Sequence, residues 1–381
     1  MIRIVHVISD LDAGGAEVML ARLVRGMDRA QFANTVVSLT TRGQLAEQIE
    51  SSGVDVHTLG MRRGRPEVFG LPLLIRLLKT LEPTIVQSWL YHADLLSTVA
   101  TRFVSPRSLV WNIRCSEVEM SHYSWLSRWV VALHRRLSGF PDGVIVNSQA
   151  GRLVHERLGY RPVAWHLIPN GFDLTRYCPD EQAKAKLKDE LGLSNKAILI
   201  GLVARFDPMK DHQTFLAAAS IIHAAYPEAH FVLCGRGVNN KNEWLARKVE
   251  EYGLSGVTHL LGQREDMVYL TSGLDIACSS STGEGFSNTI GEAMACGVPC
   301  VATDVGDSAR IIGDTGRIVP PEDPAEFGRA CMELINLAAD GRRMLGDRAR
   351  ARMEQYFDIR SVIRQYEELY ASLVECKPSR P

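Results

Sequence analysis

Short runs of β-branched and aliphatic residues alternate along this chain with longer stretches in which apolar residues recur every three or four positions. This alternation is typical of parallel sheets with helices on both faces. In the first half the predicted strands are Ile2–Ile8, Thr35–Leu39, Asp55–Leu59, Thr84–Gln87, Leu109–Ile113, Val144–Val146 and Trp165–Ile168. The pattern then begins again with Ala197–Val203, Phe231–Cys234, Val257–Leu261, Ile276–Cys278 and Pro299–Thr303. The sequence therefore predicts two doubly wound, Rossmann-like α/β domains that face each other across a cleft.

Turn residues and an amphipathic segment suggest where these domains end. The segment IPNGFD (Ile168–Asp173) is a turn signal, and the charged segment AKAKLKDELGL after it predicts a surface helix. An apolar stripe over about Ile359–Leu373 predicts a last helix that packs back on the first domain. We therefore assign residues 1–172 to the first domain, 173–355 to the second, and 356–381 to the C-terminal helix.

Composition narrows the classes of protein further. With 381 residues the chain is long enough for two domains, and its net charge of −1 argues against a nucleic-acid partner. Residues 1–180 are mildly basic, with 20 Lys and Arg against 16 Asp and Glu. The eight cysteines show no metal-ligand spacing and several lie in apolar strands, as buried reduced thiols do. We therefore expect no secretory leader or spanning segment, and a cytoplasmic protein that is soluble or at most peripheral to the membrane.

The stretch EGFSNTIGEAMACGVPCVATD (Glu284–Asp304) carries the strongest chemical signal. Glu284 and Glu292, with seven residues between them, flank a helix start that follows a buried strand and the polar run CSSST. The N–H groups of a first helical turn favour an anion, most often phosphate. A carboxylate in the same loop would repel phosphate unless it faces hydroxyl groups. A sugar nucleotide offers a diphosphate for the amides and hydroxyls for the carboxylates.

A pair of cations follows the first strand of the second domain. In ARFDPMKDH the turn at Asp207-Pro208 could fold Lys210 back beside Arg205. Two cations at a strand end would neutralise a diphosphate. The alternative is a solvated Arg and Lys on a surface loop.

Three glycine-containing loops follow other predicted strands. Gly14 and Gly15 begin a helix and permit close approach of a phosphate or sugar, although the spacing GxGxxG of dinucleotide-binding proteins is absent. Gly235 to Gly237 form another glycine loop after a strand of the second domain, at the expected cleft. Gly262 to Arg264 follow the next strand, where backbone groups could hold a base edge. Ordinary strand-to-helix turns are the alternative for both.

The remaining candidates lie in the first domain. Asp10 and Asp12 are predicted to be turn and cap residues, so no metal site is expected. His92 and Arg114 follow strands and could face an acceptor, or could be hydrogen-bonded structural groups. The segment Ser121–Phe140 mixes tryptophans and aliphatic residues with arginines. It could be an interfacial helix or an ordinary helix packed on the sheet.

Taken together and in order, GGAE, PNGFD, ARFDPMKD and EGFSNTIGEAMA resemble the retaining glycosyltransferases of the GT-B fold, in particular family 4, over nearly the whole chain. The resemblance implies that Arg205 and Lys210 hold the diphosphate of a nucleotide sugar. It implies that Glu284 contacts the donor sugar and that Glu292 binds the ribose hydroxyls. It also implies donor contacts from the amides of Gly285, Phe286, Ser287, Asn288 and Thr289, and an approach of the Gly14–Glu17 loop to the diphosphate and acceptor. Such enzymes need no metal, so no cofactor is expected.

One departure from that family concerns the acceptor. Several members place a histidine where Arg114 stands here, while His92 follows the preceding strand; these two and Glu17 are the acceptor-side candidates. The expected partners are a UDP- or GDP-sugar and a saccharide or lipid-linked acceptor, with peripheral contact to the inner membrane surface. The alternatives are an epimerase or phosphorylase on the same scaffold, or an inactive scaffold. The sugar, the base and the acceptor stay open.

Overall fold

The computed structural model describes residues 1–12, 14–62, 70–114 and 125–375, without the side chains of 125–127. It divides into two compact units, one formed by Met1–Gly171 with Ile359–Pro381 and the other by Phe172–Asp358. Each unit has its own parallel sheet and its own apolar core. The prediction of two α/β domains with parallel sheets is therefore confirmed. In the described part of the chain, no helix is both long and apolar enough to cross a bilayer.

Unit 1 contains a seven-stranded parallel sheet in the order β3-β2-β1-β4-β5-β6-β7. Its strands are β1 (Ile2–Ile8), β2 (Phe32–Ser38), β3 (Asp55–Thr58), β4 (Ile85–Trp89), β5 (Ser108–Ile113), β6 (Gly143–Val146) and β7 (Trp165–Leu167). Its first six helices are α1 (Gly15–Gly26), α2 (Ala46–Glu50), α3 (Gly70–Leu81), α4 (Tyr91–Ala100), α5 (Trp125–Leu137) and α6 (Gln149–Arg157). Strand β2 begins three residues earlier than predicted because Phe32 pairs with Ile2 and buries its ring.

The C-terminal helix completes the core of unit 1. Helix α15 (Ile359–Glu375) buries Val362, Ile363 and Tyr366 in the same cluster as the apolar residues of α1. A Cβ atom at Gly26 of α1 would lie 2.3 Å from the Cδ1 of Ile363, so the end of the Ile363 side chain occupies the space that this glycine leaves open. The apolar stripe seen in the sequence is the face that the helix buries.

Unit 2 contains a six-stranded parallel sheet in the order β10-β9-β8-β11-β12-β13. Its strands are β8 (Ile198–Val203), β9 (Ala229–Cys234), β10 (Thr258–Leu260), β11 (Ile276–Ser279), β12 (Cys300–Thr303) and β13 (Arg317–Val319). Its helices are α7 (Ala183–Glu190), α8 (His212–Ala225), α9 (Glu243–Glu251), α10 (Met267–Ser272), α11 (Asn288–Ala295), α12 (Ser308–Ile312), α13 (Pro324–Asn336) and α14 (Ala338–Tyr356), with a short 3-10 turn at Pro208–Lys210.

The order of the strands in unit 2 determines which loops are neighbours. Strand β8 lies between β9 and β11, so the loops that follow these three strands emerge side by side at the carboxyl edge of the sheet. The edge strand β13 was not predicted, because its three residues are too few to show a pattern. It pairs with β12 through Val301 and Arg317.

Candidate functional site

Backbone hydrogen bonds join the loops at the carboxyl edge of unit 2. The amide of Ala204 donates to the carbonyl of Cys234 at 2.9 Å, and the amide of Gly235 donates to the carbonyl of Gly262 at 2.8 Å. A Cβ atom at Gly235 would lie 2.1 Å from the carbonyl oxygen of Ala204. Only glycine therefore permits this close approach of the two backbones. The Gly235 loop thus lies at the same edge of the sheet as the loop that carries Arg205 and Lys210.

The loop after β11 is held directly against the loop after β8. The hydroxyl of Ser280 donates to the carbonyls of Lys210 at 2.9 Å and Asp211 at 3.0 Å. The amide of Thr282 donates to the carbonyl of Met209 at 2.9 Å. The polar run CSSST therefore brings the segment that carries Glu284 to the segment that carries Lys210.

Lys210 and Glu284 form an ion pair at this junction. The Nζ of Lys210 contacts the Oε1 of Glu284, and the hydroxyl of Ser281 donates to the same oxygen at 2.9 Å. The two charged side chains are only 19% and 13% exposed. A pair so far removed from solvent is positioned mainly by its partners, since neither charge can be left alone there at low cost. A phosphate group arriving at this point would compete with Glu284 for the ammonium group.

A second glycine supports the backbone of Glu284. Gly306 has a φ of +58°, and a Cβ atom there would lie 2.2 Å from the carbonyl oxygen of Glu284. The next residue, Asp307, donates its amide to the carbonyl of Gly285 at 3.1 Å. Sequence reasoning missed both Gly306 and Ser281. The only signal was the Val-Gly-Asp turn after a strand, which is common in such folds.

Arg205 lies on the same turn with a different partner. Its Nε donates to Asp207 at 3.0 Å, and Asp207 also accepts the amide of Met209 at 3.0 Å. Burial alone would raise the pKa of Asp207, but the bond from Met209 and the charges of Arg205 and Lys210 outweigh it, so the pKa is lowered. Both cations therefore act on Asp207. The partner that the structure gives the Lys210 side chain is Glu284, rather than a fold back onto Arg205.

The predicted helix start follows immediately. Helix α11 begins at Asn288, and in the described structure its N-cap, Ser287, makes no side-chain cap hydrogen bond. The hydroxyls of Ser287 and Thr289 lie 3.4 Å apart. Glu292 stands one turn into the helix and is half-buried. Gly285 and these residues therefore form one continuous segment beside the ion pair.

Phe286 has a role that the sequence did not indicate. Its ring is buried, stacked on Phe172 at 6.2 Å between centroids and edge-on to Phe357 at 5.7 Å. A Cβ atom at Gly291 would lie 2.2 Å from the ring of Phe172. The Phe286 side chain thus anchors the loop in the core of unit 2, so that any contact of this residue with a ligand would have to come from its backbone.

The side chain of Arg264 is hydrogen-bonded to two carboxylates. Its guanidinium bonds Glu190 at 2.5 Å and Asp266 at 2.8 Å. The hydrogen bonds that it donates to Asp266 and Glu190 raise the pKa of Arg264 further above its usual value. Its charge is already balanced, so a base contact in this region would come from the backbone of Gly262 to Arg264, as the sequence suggested.

In unit 1, the glycine pair begins α1 as predicted. Gly14 is the N-cap, and a Cβ atom there would lie 2.2 Å from the Oε2 of Glu17, so the carboxyl group folds back over the glycine. Burial raises the pKa of Glu17 to about 7, with Asp10 and Asp12 adding to the effect and Arg114 opposing it. Glu17 is therefore a buried acid that titrates near neutral pH.

Arg114 lies within electrostatic reach of Glu17 but has structural partners of its own. Its Nη1 donates to Asn170 of the PNGFD segment at 2.7 Å, and its Nη2 donates to the hydroxyl of Tyr366 on α15 at 3.4 Å. The guanidinium also lies 4.9 Å from the ring of Trp89. Burial lowers the pKa of Arg114. These contacts make it a link between the PNGFD segment and the C-terminal helix.

His92 is placed apart from that pair. It is the second residue of α4, with an exposed side chain, and its electrostatic neighbours are His134 and Asp94. The structure thus brings Glu17 and Arg114 together, while the interactions of His92 involve other residues.

The aspartates before α1 form a turn, as expected. The amide of Asp12 donates to the carboxylate of Asp10 at 3.1 Å. Among the described residues, no group of three or more His, Cys, Asp or Glu side chains could hold a metal ion.

Two family models match successive parts of this chain. Residues 13–176 match the model described as Glycosyltransferase Family 4, and residues 197–337 match the model described as Glycosyl transferases group 1. Together the two matches span well over half of the sequence and follow each other in order. The chain belongs to the group 1 glycosyltransferases.

Individual proteins agree with this assignment. EpsF of Bacillus subtilis (strain 168), a glycosyltransferase by name, is 26% identical over 319 residues, covering 79% of each chain. D-inositol 3-phosphate glycosyltransferase of Corynebacterium jeikeium (strain K411) is 30% identical over 219 residues, covering 54% of this chain and 52% of the relative. That match thus spans about half the length of the relative.

A solved structure extends the likeness to the whole chain. The crystal structure of Anabaena HepE in complex with UDP has a TM-score of 0.85 at 23% identity, covering 97% of this chain and 100% of that one. A second structure of the same protein, in complex with UDP-glucose, has a TM-score of 0.81 at 22% identity, covering 98% and 100%. At this identity the likeness concerns the fold, and the predicted GT-B fold is confirmed.

Proposed function

We propose that this glycosyltransferase moves a sugar from a nucleoside-diphosphate sugar to a hydroxyl of a saccharide or lipid-linked saccharide, with retention of the anomeric configuration. The observation that carries the proposal is the Lys210–Glu284 pair beside the start of α11. A cation, a carboxylate and a helix start then offer partners for a diphosphate, for sugar hydroxyls and for phosphate oxygens respectively.

A UDP-sugar is the donor that we favour. Anabaena HepE, whose fold this chain shares, was solved in complex with UDP and with UDP-glucose. In our proposal Arg205 and Lys210 receive the diphosphate, Glu284 the donor sugar, and Glu292 the ribose hydroxyls. A GDP-sugar is the alternative donor, because backbone groups near Gly262 could receive either base.

The proposed reaction is a substitution on one face of the sugar ring. The bond between the anomeric carbon and the diphosphate oxygen breaks, and an oxygen of the acceptor bonds to that carbon from the same side. The acceptor's hydroxyl proton passes to the departing diphosphate oxygen. Arg205 and Lys210 stabilise the charge that grows on the diphosphate, which is the main catalytic contribution in this scheme. Because these cations supply positive charge, we expect transfer to persist after treatment with a chelator.

The class of protein supports a proposal for the acceptor and the cellular setting. We propose a step in polysaccharide or glycolipid biosynthesis, carried out by a cytoplasmic enzyme that touches the inner membrane surface to reach a lipid-linked acceptor. The mildly basic first 180 residues support an anionic surface or acceptor.

Thermal unfolding tests the donor site without knowledge of the acceptor. The pure protein is heated with UDP, GDP, ADP or NAD, each without added metal. A ligand present at about 100 times its dissociation constant stabilises the folded state by about 2.7 kcal/mol, which moves the midpoint visibly. We expect a shift with UDP or GDP that Lys210→Ala reduces. No shift with either would contradict the proposal, and turnover of the nucleotide sugar without any acceptor would indicate an epimerase.

A further inference from the structure

Three neighbouring helices of unit 1 present an unusual surface. Helix α4 packs between α3 and α5. Neither GLPLLIRLLKTL in α3 nor WLSRWVVALHRRL in α5 contains Asp or Glu in its sequence. The one acid of α4, Asp94, is fully buried, where it accepts a hydrogen bond from Ser88 at 2.6 Å. The helices therefore contribute no acidic side chain to their outer side.

Helix α5 is fixed with its aromatic and basic side facing outward. On the inner side His134 is fully buried and bonds Asp94 at 2.9 Å and Tyr160 at 3.0 Å. On the outer side Trp129 is 68% exposed and Leu133, one turn further, is 48% exposed. Arg128, Arg135 and Arg136 are also exposed. The prediction of a helix that packs on unit 1 is consistent with these contacts, whereas the interfacial interpretation stays a prediction. Residues 121–124 of the predicted segment lie outside the described chain.

The same composition continues beyond α5. Phe140, just after α5, is exposed, and the guanidinium of Arg102 lies 4.5 Å from its ring. Phe103 is 60% exposed and lines a surface depression together with Arg76 and Lys79 of α3. The surface formed by α3, α5 and the residues that follow α4 and α5 therefore combines large apolar side chains with cations.

Solvated helices of unit 2 look different. On α13, Arg329 pairs with Glu326 at 2.5 Å, so charges of both signs alternate along its exposed side. Exposed tryptophan and phenylalanine side chains do not stabilise a helix face that contacts only water. Aromatic side chains interleaved with arginines are typical of proteins that lie on a bilayer, where the rings enter the headgroup region and the cations meet anionic lipids.

We infer that the α3–α5 outer surface, defined by Arg76, Phe103, Trp129, Leu133, Arg136 and Phe140, docks unit 1 on an anionic lipid bilayer. The negative charge of the lipid headgroups complements the positive charge of α3 and α5, whose charged residues are all basic. This inference deepens the proposed function, and rests on it in one respect: a lipid-linked acceptor would give the docking its purpose. Docking itself needs neither nucleotide nor acceptor.

Co-sedimentation of the full chain with vesicles tests the surface. The vesicles contain phosphatidylcholine alone or phosphatidylcholine mixed with phosphatidylglycerol, at low and at high salt. We expect binding to the anionic vesicles only, weakened by salt. The double variant Arg135→Ser/Arg136→Ser removes Arg136 of this surface and its exposed neighbour. It should lower the partition coefficient by roughly 25-fold, about fivefold for each arginine.

A matched pair of variants distinguishes binding through this surface from nonspecific adsorption to the vesicles. Leu133→Ser/Arg136→Ser removes one apolar and one basic side chain from the α3–α5 outer surface. Arg343→Ser/Met344→Ser removes the same two kinds from α14, where both are exposed. The first variant should lose vesicle binding and the second should keep it. Both should keep the thermal shift with UDP, so failure of docking and failure of the donor site remain distinguishable.

Three results would overturn the inference. The first is equal binding to neutral and anionic vesicles, and the second is equal behaviour of the two double variants. The third is a dimer on gel filtration that Leu133→Ser/Arg136→Ser converts to a monomer, since a second copy would then cover the surface.

Discussion

The buried carboxyl group of Glu17 should make unit 1 less stable as the pH rises. Its pKa is about 7 in the folded chain against a usual 4.5, chiefly because of burial. Between these two pH values the unfolded chain releases the proton while the folded chain keeps it, so the free energy of unfolding falls as pH increases. The difference between about 7 and 4.5, at about 1.4 kcal/mol for each pH unit, amounts to roughly 3–4 kcal/mol as an upper bound.

Glu17→Gln removes this titration and keeps the shape of the side chain. The variant should match the wild type near pH 4.5 and exceed its stability by up to roughly 3–4 kcal/mol at pH 8. Below pH 4.5 the side chain of residue 17 is uncharged in the wild type and in the variant. Above about pH 7 the difference in stability between the two proteins should level off. Gly14 has no Cβ atom and so leaves room for the end of the residue 17 side chain. A glutamine side chain has the same shape as glutamate and fits this space.

Urea unfolding at several pH values between 4.5 and 8 measures the effect. Five of the six tryptophans, Trp244 being the exception, lie in unit 1 of the chain, so their fluorescence mainly reports that unit. The matched control is Glu243→Gln, an exposed acid in the first turn of α9 in unit 2. Stability curves for Glu17→Gln and the wild type that stay parallel over the whole pH range would refute the reasoning.

Three further predictions concern the edge of unit 2. Lys210→Ala should fold but lose transfer by about 10²–10³-fold, since it removes a contact to the leaving diphosphate; near-normal turnover in a transfer assay would contradict this. Glu284→Gln should impair sugar positioning more than UDP affinity, whereas Glu292→Ala should weaken UDP binding itself; equal losses in calorimetry would contradict the division. Gly306→Ala should destabilise unit 2 by about 1–3 kcal/mol, because of its positive φ and its close approach to the Glu284 carbonyl; an unchanged melting temperature would argue against that.

The sequence predicted most strands because parallel strands buried on both faces are short, continuous apolar runs. Strand β13 was not predicted because its three residues are too few to show a pattern. The start of β2 was predicted too late because Phe32 is buried by contacts from α15, which is distant in sequence. Such boundaries depend on tertiary packing rather than on local residue type.

The sequence predicted which candidate residues follow the strands of unit 2, but not which contacts they make. Strand order brings the loops of Lys210 and Glu284 together, and no local pattern specifies that one ammonium meets one carboxylate. Phe286 and Arg264 lie in stretches that predict ligand contacts, yet their side chains have partners in the core and on α7. Neighbours that are distant in sequence decide which side chains remain for a ligand.

The most direct test of the account is a calorimetric titration of UDP into the wild type, Lys210→Ala and the control Lys241→Ala, an exposed lysine in the same unit. We predict comparable binding to the wild type and Lys241→Ala, and binding at least about tenfold weaker to Lys210→Ala, as expected for loss of a charge-assisted contact. Equal affinity of all three proteins for UDP would contradict the claim that the Lys210–Glu284 edge is the donor site.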